Sequence, residues 1–313
     1  MLLPSIDGAG MTLPAVREQY RHYALTIRNV CADTARERLR YIDCLFEHFG
    51  QPQSVAELFA ALNPSTITEF LLDYATRHES GTRQAMHTAV RGFLRFIYEE
   101  QYMPGDLSGL VPTVQRHAMS ELPRALPDSC ISALEDSIDR SCPAGRRDGA
   151  IICLLSTYGV RGIQIRRLRL EHIDWQNERI HFPPAKRGRP VVQHLTVKAG
   201  NRLADYITNG RPPSDLPEVF LTLSTAAALT CKTYLSVMIE RRLQRSKISL
   251  PQGVSHGTHG FRHAFAVRMT GKVPFKDLVD MLGHRDPSSA LIYAKADVQT
   301  LQQAALPWPG VSR

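Results

Sequence analysis

The stretch T-H-G-F-R-H-A-F-A, Thr258–Ala266, sets two imidazoles and a guanidinium among apolar side chains. Its histidines, His259 and His263, are four apart, the spacing that binds zinc on a helix when Glu directly follows the first His. Gly260 holds that position here, and no nearby Cys or carboxylate completes a ligand set. The motif H-x-x-R, His259 to Arg262, is weak alone in a chain this rich in Arg, so its meaning depends on what surrounds it. Upstream, Arg147–Thr157 reads as an apolar helix ending at Gly159, with Val160 and Arg161 just beyond. Between the two, residues 178–182 and 191–195 are rich in β-branched and aromatic residues and read as a β-hairpin. Its tip, P-P-A-K-R-G-R-P, is basic and carries Lys186, Arg187 and Arg189. Downstream come Leu282-Gly283-His284 and then Tyr293. Ser129–Ile138 and the text from Ala199 onward are helical. The class is mainly α with one small antiparallel sheet.

The N-terminal part reads as amphipathic helices. Thr34-Ala-Arg-Glu37 is a capping box that opens a helix bearing Leu39, Ile42, Phe46 and Phe49, with Gly50 as its end. Thr66-Ile-Thr-Glu69 is a second box, leading into Phe70, Leu71 and Tyr74. A third helix, from about Thr82 to Tyr98, buries Met86, Val90, Phe93, Leu94 and Ile97. On another face of it Arg83, His87, Arg91 and Arg95 recur every fourth residue with no acid interleaved. Such a row repels itself unless something neutralises it, and a phosphate backbone would do so. A solvated face is the plainer reading. From Pro104-Gly105 helix signals fade through Pro112, Pro123 and Pro127. The chain therefore divides into an N-terminal extension at 1–14, a helical domain at 15–104, a linker at 105–124 and a second domain at 125–313.

The 313 residues are 43% hydrophobic and 22% charged, a globular composition that excludes disordered, collagen-like and coiled-coil chains. The longest apolar run, Ala150–Leu155, is too short to span a membrane, and no signal peptide is legible at the start. Six cysteines without a C-x-x-C pair read as small buried hydrophobes in a reducing cytosol. Residues 1–125 hold 12 Arg, no Lys and 14 acids, whereas 126–313 hold 26 basic and 16 acidic residues. A strongly basic second domain points to a polyanionic partner such as nucleic acid.

In order and spacing, L-L-S-T-Y-G-V-R, the Lys186 turn, T-H-G-F-R-H-A-F-A and M-L-G-H-R-D-P-S-S-A-L-I-Y resemble the tyrosine recombinase family, the phage-integrase-like enzymes that include the Xer-type recombinases. The resemblance covers nearly the whole chain beyond about residue 15, and its specific part is Ala150–Pro309. It implies a helical, SAM-like core-binding domain followed by a catalytic domain, which cuts and rejoins double-stranded DNA at specific sites through a 3′-phosphotyrosine. Tyr293 would be the nucleophile, with Arg161, Lys186, His259, Arg262 and His284 completing the catalytic set. It also implies a tetramer on two DNA sites, homomeric or shared with related recombinases, and neither metal nor other cofactor. The residue types suit this chemistry. A phenol of pKa about 10 needs a cationic setting to attack phosphorus. Guanidinium forks pair with phosphate oxygens, and imidazoles donate hydrogen bonds or move protons. Lys186 is nominated by the resemblance to protonate the leaving 5′-oxygen. Arg83, Arg91 and Arg95 on the third helix, and Arg187 and Arg189 on the hairpin tip, are the expected DNA contacts. The expected location is the cytoplasm, with no membrane association.

One position departs from the family pattern. Three residues after Arg161, where relatives carry an acid that orients the guanidinium, this chain has Gln164. A weakened anchor would make the chain a DNA-binding member with reduced catalysis. Site-independent DNA relaxation, as by type IB topoisomerases, is a further alternative.

Overall fold

The computed structural model describes residues 12–50, 52, 54–114, 125–185 and 189–294. The chain divides into two compact units, Met1–Ala118 and Met119–Arg313.

The first unit packs α1 (Leu13–Thr26), α2 (Ala32–His48), α3 (Val55–Ala61), α4 (Pro64–Arg77) and α5 (Ser80–Glu99) around one apolar core. The stripe expected on the third helix is there: Met86, Val90, Phe93, Leu94 and Ile97 of α5 are all buried. Both expected capping boxes are displaced. Helix α2 starts three residues earlier, where Cys31 is the extended cap and its Sγ lies 3.2 Å from Thr34 Oγ1. Helix α4 is capped by Asn63, whose Oδ1 accepts from Ser65 and Thr66 N–H groups. Thr66 is the reciprocal partner in that box rather than its first residue, because Pro64 presets the helical φ at N1 and leaves Asn63 the cap.

The row of basic groups on α5 finds partners within the chain to an extent its spacing does not disclose, although only Arg95 meets an acid among the described residues. His87 Nδ1 lies 2.9 Å from the Pro112 carbonyl, and Arg91 donates to the Val111 carbonyl at 2.8 Å. Arg95 pairs with Glu99 one turn on, at 2.8 Å. Arg83 keeps a buried Nε without a hydrogen-bond partner. Two of the four thus anchor the segment that follows the helix, where Val111 enters the core and Ser108–Leu110 forms a 3-10 turn. The first part of the stretch expected to be a linker is therefore held on this unit by paired carbonyls and an apolar plug; residues 115–124 lie outside the described residues.

The second unit contains α6 (Asp128–Asp136), α7 (Pro143–Tyr158), α8 (Gly162–Arg166), β1 (Ile173–Asp174), β2 (Arg179–Phe182) and β3 (Val191–His194). Helices α9 (Val197–Asn209), α10 (Tyr234–Arg245), α11 (Thr258–Met269), α12 (Phe275–Met281) and α13 (Leu291–Ala294) complete it. The expected hairpin forms, with Arg179 opposite His194 and Phe182 opposite Val191. It begins one residue late because Glu178 turns into the left-handed region at φ 52°. Strand β1 pairs antiparallel with β2 and was not expected, since two residues carry no legible alternation. The hairpin tip with Lys186 and Arg187 lies outside the described residues.

Helix α7 is apolar on all sides from Ala150 to Leu155 and is buried throughout, packing against α9 and α11. Near its start, Asp148 takes two hydrogen bonds from Arg147 and two from Arg242 of α10, all within 3.0 Å. Gly159 ends the helix at φ 59°, and a Cβ there would stand 2.5 Å from Phe265 of α11. Glycine is required twice over, for the left-handed turn and for the close approach.

The cysteines depart from expectation. Only Cys153 is buried; Cys31, Cys142 and Cys231 are exposed, on loops and helix caps where the sulfur accepts or shares local hydrogen bonds. No helix among the described residues is long and apolar enough to cross a membrane.

Candidate active site

Arg161, Arg262, His284 and Tyr293 are drawn together by two chain reversals and helix α11. The Gly159 turn delivers Arg161 from the end of α7. Helix α11 carries His259 on its first turn and Arg262 one turn further, with Arg262 facing inward. The second reversal closes α12: the Gly283 N–H bonds the Asp280 carbonyl at 2.9 Å, and the His284 N–H bonds the Val279 carbonyl at 3.1 Å. Gly283 has φ 60°, and a Cβ on it would meet Val191 of β3 at 2.6 Å.

That last turn leaves the Leu282 carbonyl open to the interior. Arg262 Nη2 donates to it at 2.7 Å and Arg161 Nη1 at 3.4 Å, while Arg262 Nη1 donates to the Gly159 carbonyl at 2.9 Å. Both guanidiniums are held by neutral oxygens, and neither pairs with a carboxylate among the described residues. The cost shows in proton affinity. Burial, then the neighbouring Arg161, pushes the Arg262 guanidinium down to about 9, still cationic at neutral pH. Arg161 is lowered too, chiefly by burial. Two cations side by side, one buried and one half-buried, with no counter-ion among the described residues form a ready site for a dianionic or diester phosphate.

Gln164 does not orient the Arg161 guanidinium. It is 2% exposed, its Oε1 accepts from the Arg161 backbone N–H at 3.0 Å, and its Nε2 donates to the Pro183 carbonyl at 3.0 Å. A carboxylate could accept the first bond but could not donate the second. The neutral amide thus ties the first turn of α8 to the end of β2, and positions Arg161 through its backbone.

His284 is pushed down to about 4, first by burial, then by Arg262 and Arg161, so at neutral pH it is an uncharged hydrogen-bonding group. Its Nδ1 is buried without a partner. A group whose folded pKa is depressed in this way binds fewer protons than the unfolded chain between about pH 4 and its ordinary value. We expect stability to fall as pH is lowered through that window, and His284→Gln to flatten the fall, as read by thermal unfolding from pH 7 to 4.5. An equal acid slope in both proteins would contradict this.

Tyr293, on α13, is 3% exposed. Its hydroxyl lies 3.0 Å from His263 Nδ1. Burial raises its pKa, and Arg262 and Arg161 pull against that rise. His263 was absent from the expected catalytic set, although its spacing from His259 was visible; nothing in a linear sequence tells that a tyrosine thirty positions on folds over it. Beside the site a cleft of about 370 Å³ is lined by Arg189, Val191, Gln193, Asp280, Gly283 and His284. Arg189 is thus the one expected hairpin-tip contact among the described residues, and it opens on the same cleft as His284. Among the described residues no cluster of three or more His, Cys, Asp or Glu could hold a metal ion.

Known proteins resemble this chain in both sequence and fold. The model of the phage integrase family matches residues 126–300. A putative integrase/recombinase y4rA of Sinorhizobium fredii is 32% identical over 303 residues, spanning 95% of this chain and 72% of its own. The tyrosine recombinase XerD of Ralstonia nicotianae is 26% identical, over 71% of this chain and 73% of its own. Among solved structures, XerH recombinase in a post-cleavage complex with its difH substrate superposes with a TM-score of 0.69 at 19% identity, covering 93% of this chain and 84% of that one. A lambda integrase tetramer bound to a Holliday junction gives 0.68 at 14% identity, covering 98% and 82%. The fold is that of these recombinases, and the chain belongs to the phage integrase family of tyrosine recombinases.

Proposed function

We propose that this protein cleaves and rejoins double-stranded DNA at specific sites through a 3′-phosphotyrosine on Tyr293, without metal or ATP. The observation that carries the reading is the pair of guanidiniums, buried Arg262 and half-buried Arg161, that share one carbonyl and meet no carboxylate among the described residues. A scissile phosphate held by the pair supplies the missing negative charge, and the charge that grows on its non-bridging oxygens strengthens both contacts in the transition state. His284, neutral and with an unpartnered ring nitrogen, adds a hydrogen bond to the same phosphate. Tyr293 attacks phosphorus, the 5′-oxygen leaves, and Lys186 from the hairpin turn gives it a proton. His259, at the start of α11, adds a further hydrogen bond. Because the phosphotyrosine keeps the energy of the broken ester, a 5′-hydroxyl from another strand reseals it by the reverse path.

In this reading residues 15–104 grip the duplex as a core-binding domain and 125–313 carry catalysis, joined by the 105–124 linker. Arg83 is the strongest DNA contact on α5, since its partners among the described residues are fewer than those of Arg91 and Arg95. Arg187 and Arg189 reach DNA from the hairpin tip. Assembly would be a tetramer on two sites, in the cytoplasm. Gln164 does not favour the reading of lost catalysis, because its two hydrogen bonds leave Arg161 in the site.

The test uses nicked duplexes tiled across the DNA that flanks the protein's own gene, resolved on denaturing gels. Wild type should give a retarded covalent band on one tile. Tyr293→Phe should lose that band entirely while still retarding the same tile on a native gel. An undiminished covalent band from the variant would overturn the assignment of the nucleophile.

A further inference from the structure

We infer that His263 is the group that takes the proton from Tyr293 as the phenol attacks phosphorus, an assignment that rests on the phosphotyrosine reading above. The observation is the direct contact: Tyr293 Oη lies 3.0 Å from His263 Nδ1, with ring centroids 5.7 Å apart. Among the described residues, this imidazole is the polar group hydrogen-bonded to the reacting oxygen. The distance is that of a hydrogen bond able to pass a proton directly.

The surroundings set the charge of that imidazole. On its own helix His263 faces His259 and Arg262, and from α13 it faces Tyr293. Burial first, then His259 and Arg262, lower its pKa, so the resting imidazole is neutral. A neutral imidazole carries one N–H and one lone pair. The proton role requires the tautomer with the lone pair on Nδ1 and the hydrogen on Nε2, in which Tyr293 donates to the ring. In cleavage the O–H bond of Tyr293 breaks and its proton passes to Nδ1. The phenolic oxygen bonds phosphorus, the bond from phosphorus to the 5′-oxygen breaks, and that oxygen takes the separate proton from Lys186. His263 then holds a positive charge until rejoining, when Tyr293 leaves phosphorus and recovers the proton. Burial makes that imidazolium costly, which favours its quick return.

The assignment separates His263 from a residue that merely packs against the tyrosine. Glutamine at 263 can accept the phenolic hydrogen bond but cannot take the proton. We expect His263→Gln to slow single-turnover adduct formation on the reactive duplex by about 10²-fold or more, with native-gel binding retained. The rate should also lose the acid limb that the imidazole imposes on the wild-type pH profile. The second measurement needs no DNA: the ¹⁵N shifts of the histidine side chains in the full-length protein. They should show His263 with a hydrogen on Nε2 and a bare Nδ1, and Tyr293→Phe should raise its titration midpoint, because a donated hydrogen bond favours the neutral ring. An unchanged cleavage rate and pH profile in His263→Gln, with wild type active, would overturn the proton role alone. A hydrogen found on Nδ1 would overturn it as well. If wild type forms no adduct on any tile, the phosphotyrosine reading fails, and the nitrogen shifts still decide whether the imidazole is set as the acceptor.

Discussion

Arg262→Gln should lower the rate of DNA cleavage by about 10³-fold while leaving binding to the same duplex within a few-fold of wild type. The size follows from where the guanidinium sits. It is 4% exposed, fixed from two sides by the Gly159 and Leu282 carbonyls, and so is preorganised before DNA arrives. A phosphate held there as proposed would meet a buried, fixed cation, which is worth far more than one on the surface. Most phosphates of a bound duplex lie outside this site and are held by other basic groups, so affinity should change much less than rate. The glutamine amide can still donate to one carbonyl, which limits damage to the fold. Single-turnover cleavage and a native-gel titration on one duplex separate the two quantities. A fall in binding as large as the fall in rate would mean that Arg262 is a general DNA contact and not part of the chemistry.

Asp148→Ala should destabilise the second unit by about 3–5 kcal/mol, the usual penalty for stripping one partner from a buried ion pair. Asp148 is 4% exposed and is the shared acceptor of Arg147, itself 7% exposed, and of Arg242. Removing it strands two guanidiniums against each other. Arg147 retains the Leu221 carbonyl and the face of Tyr234, neither of which neutralises its charge. The loss is a large fraction of the stability of a typical domain. Trp175 lies in the second unit and the sequence of the first holds no tryptophan, so fluorescence in urea reads the second unit without interference from the helical one. A midpoint within experimental error of wild type would show that the network contributes little. The triple replacement of Asp148, Arg147 and Arg242 by apolar residues should recover much of the loss, because the cost lies in the unpaired charge.

These two networks show what the sequence discloses and what it hides. Helices α5 and α7 and the hairpin are legible because each has a strong period or a continuous apolar run bounded by turn residues. Arg161, Arg262, His284 and Tyr293 are legible as a set only through the resemblance, because they stand in the order and spacing of the tyrosine recombinase family. What is hidden depends on long-range partners. The carbonyls that hold His87 and Arg91 lie more than twenty and about twenty residues away, in a stretch without helix signals. Gln164 looks like a lost acid until the Pro183 carbonyl is seen to need a donor. Helix α2 begins at Cys31, a weak cap that propensity would pass over in favour of Thr34. In each case local preference was overruled by a contact that only the folded chain provides.

The central claim is that Tyr293 becomes covalently joined to DNA. Digesting the wild-type adduct with protease and nuclease and sequencing the modified peptide by mass spectrometry tests this most directly. The account predicts a 3′-phosphonucleotide on Tyr293, within the segment that contains Leu291 and Ile292, and on no other residue. A nucleotide on a different side chain, or cleaved DNA ends with no protein attached, would contradict it.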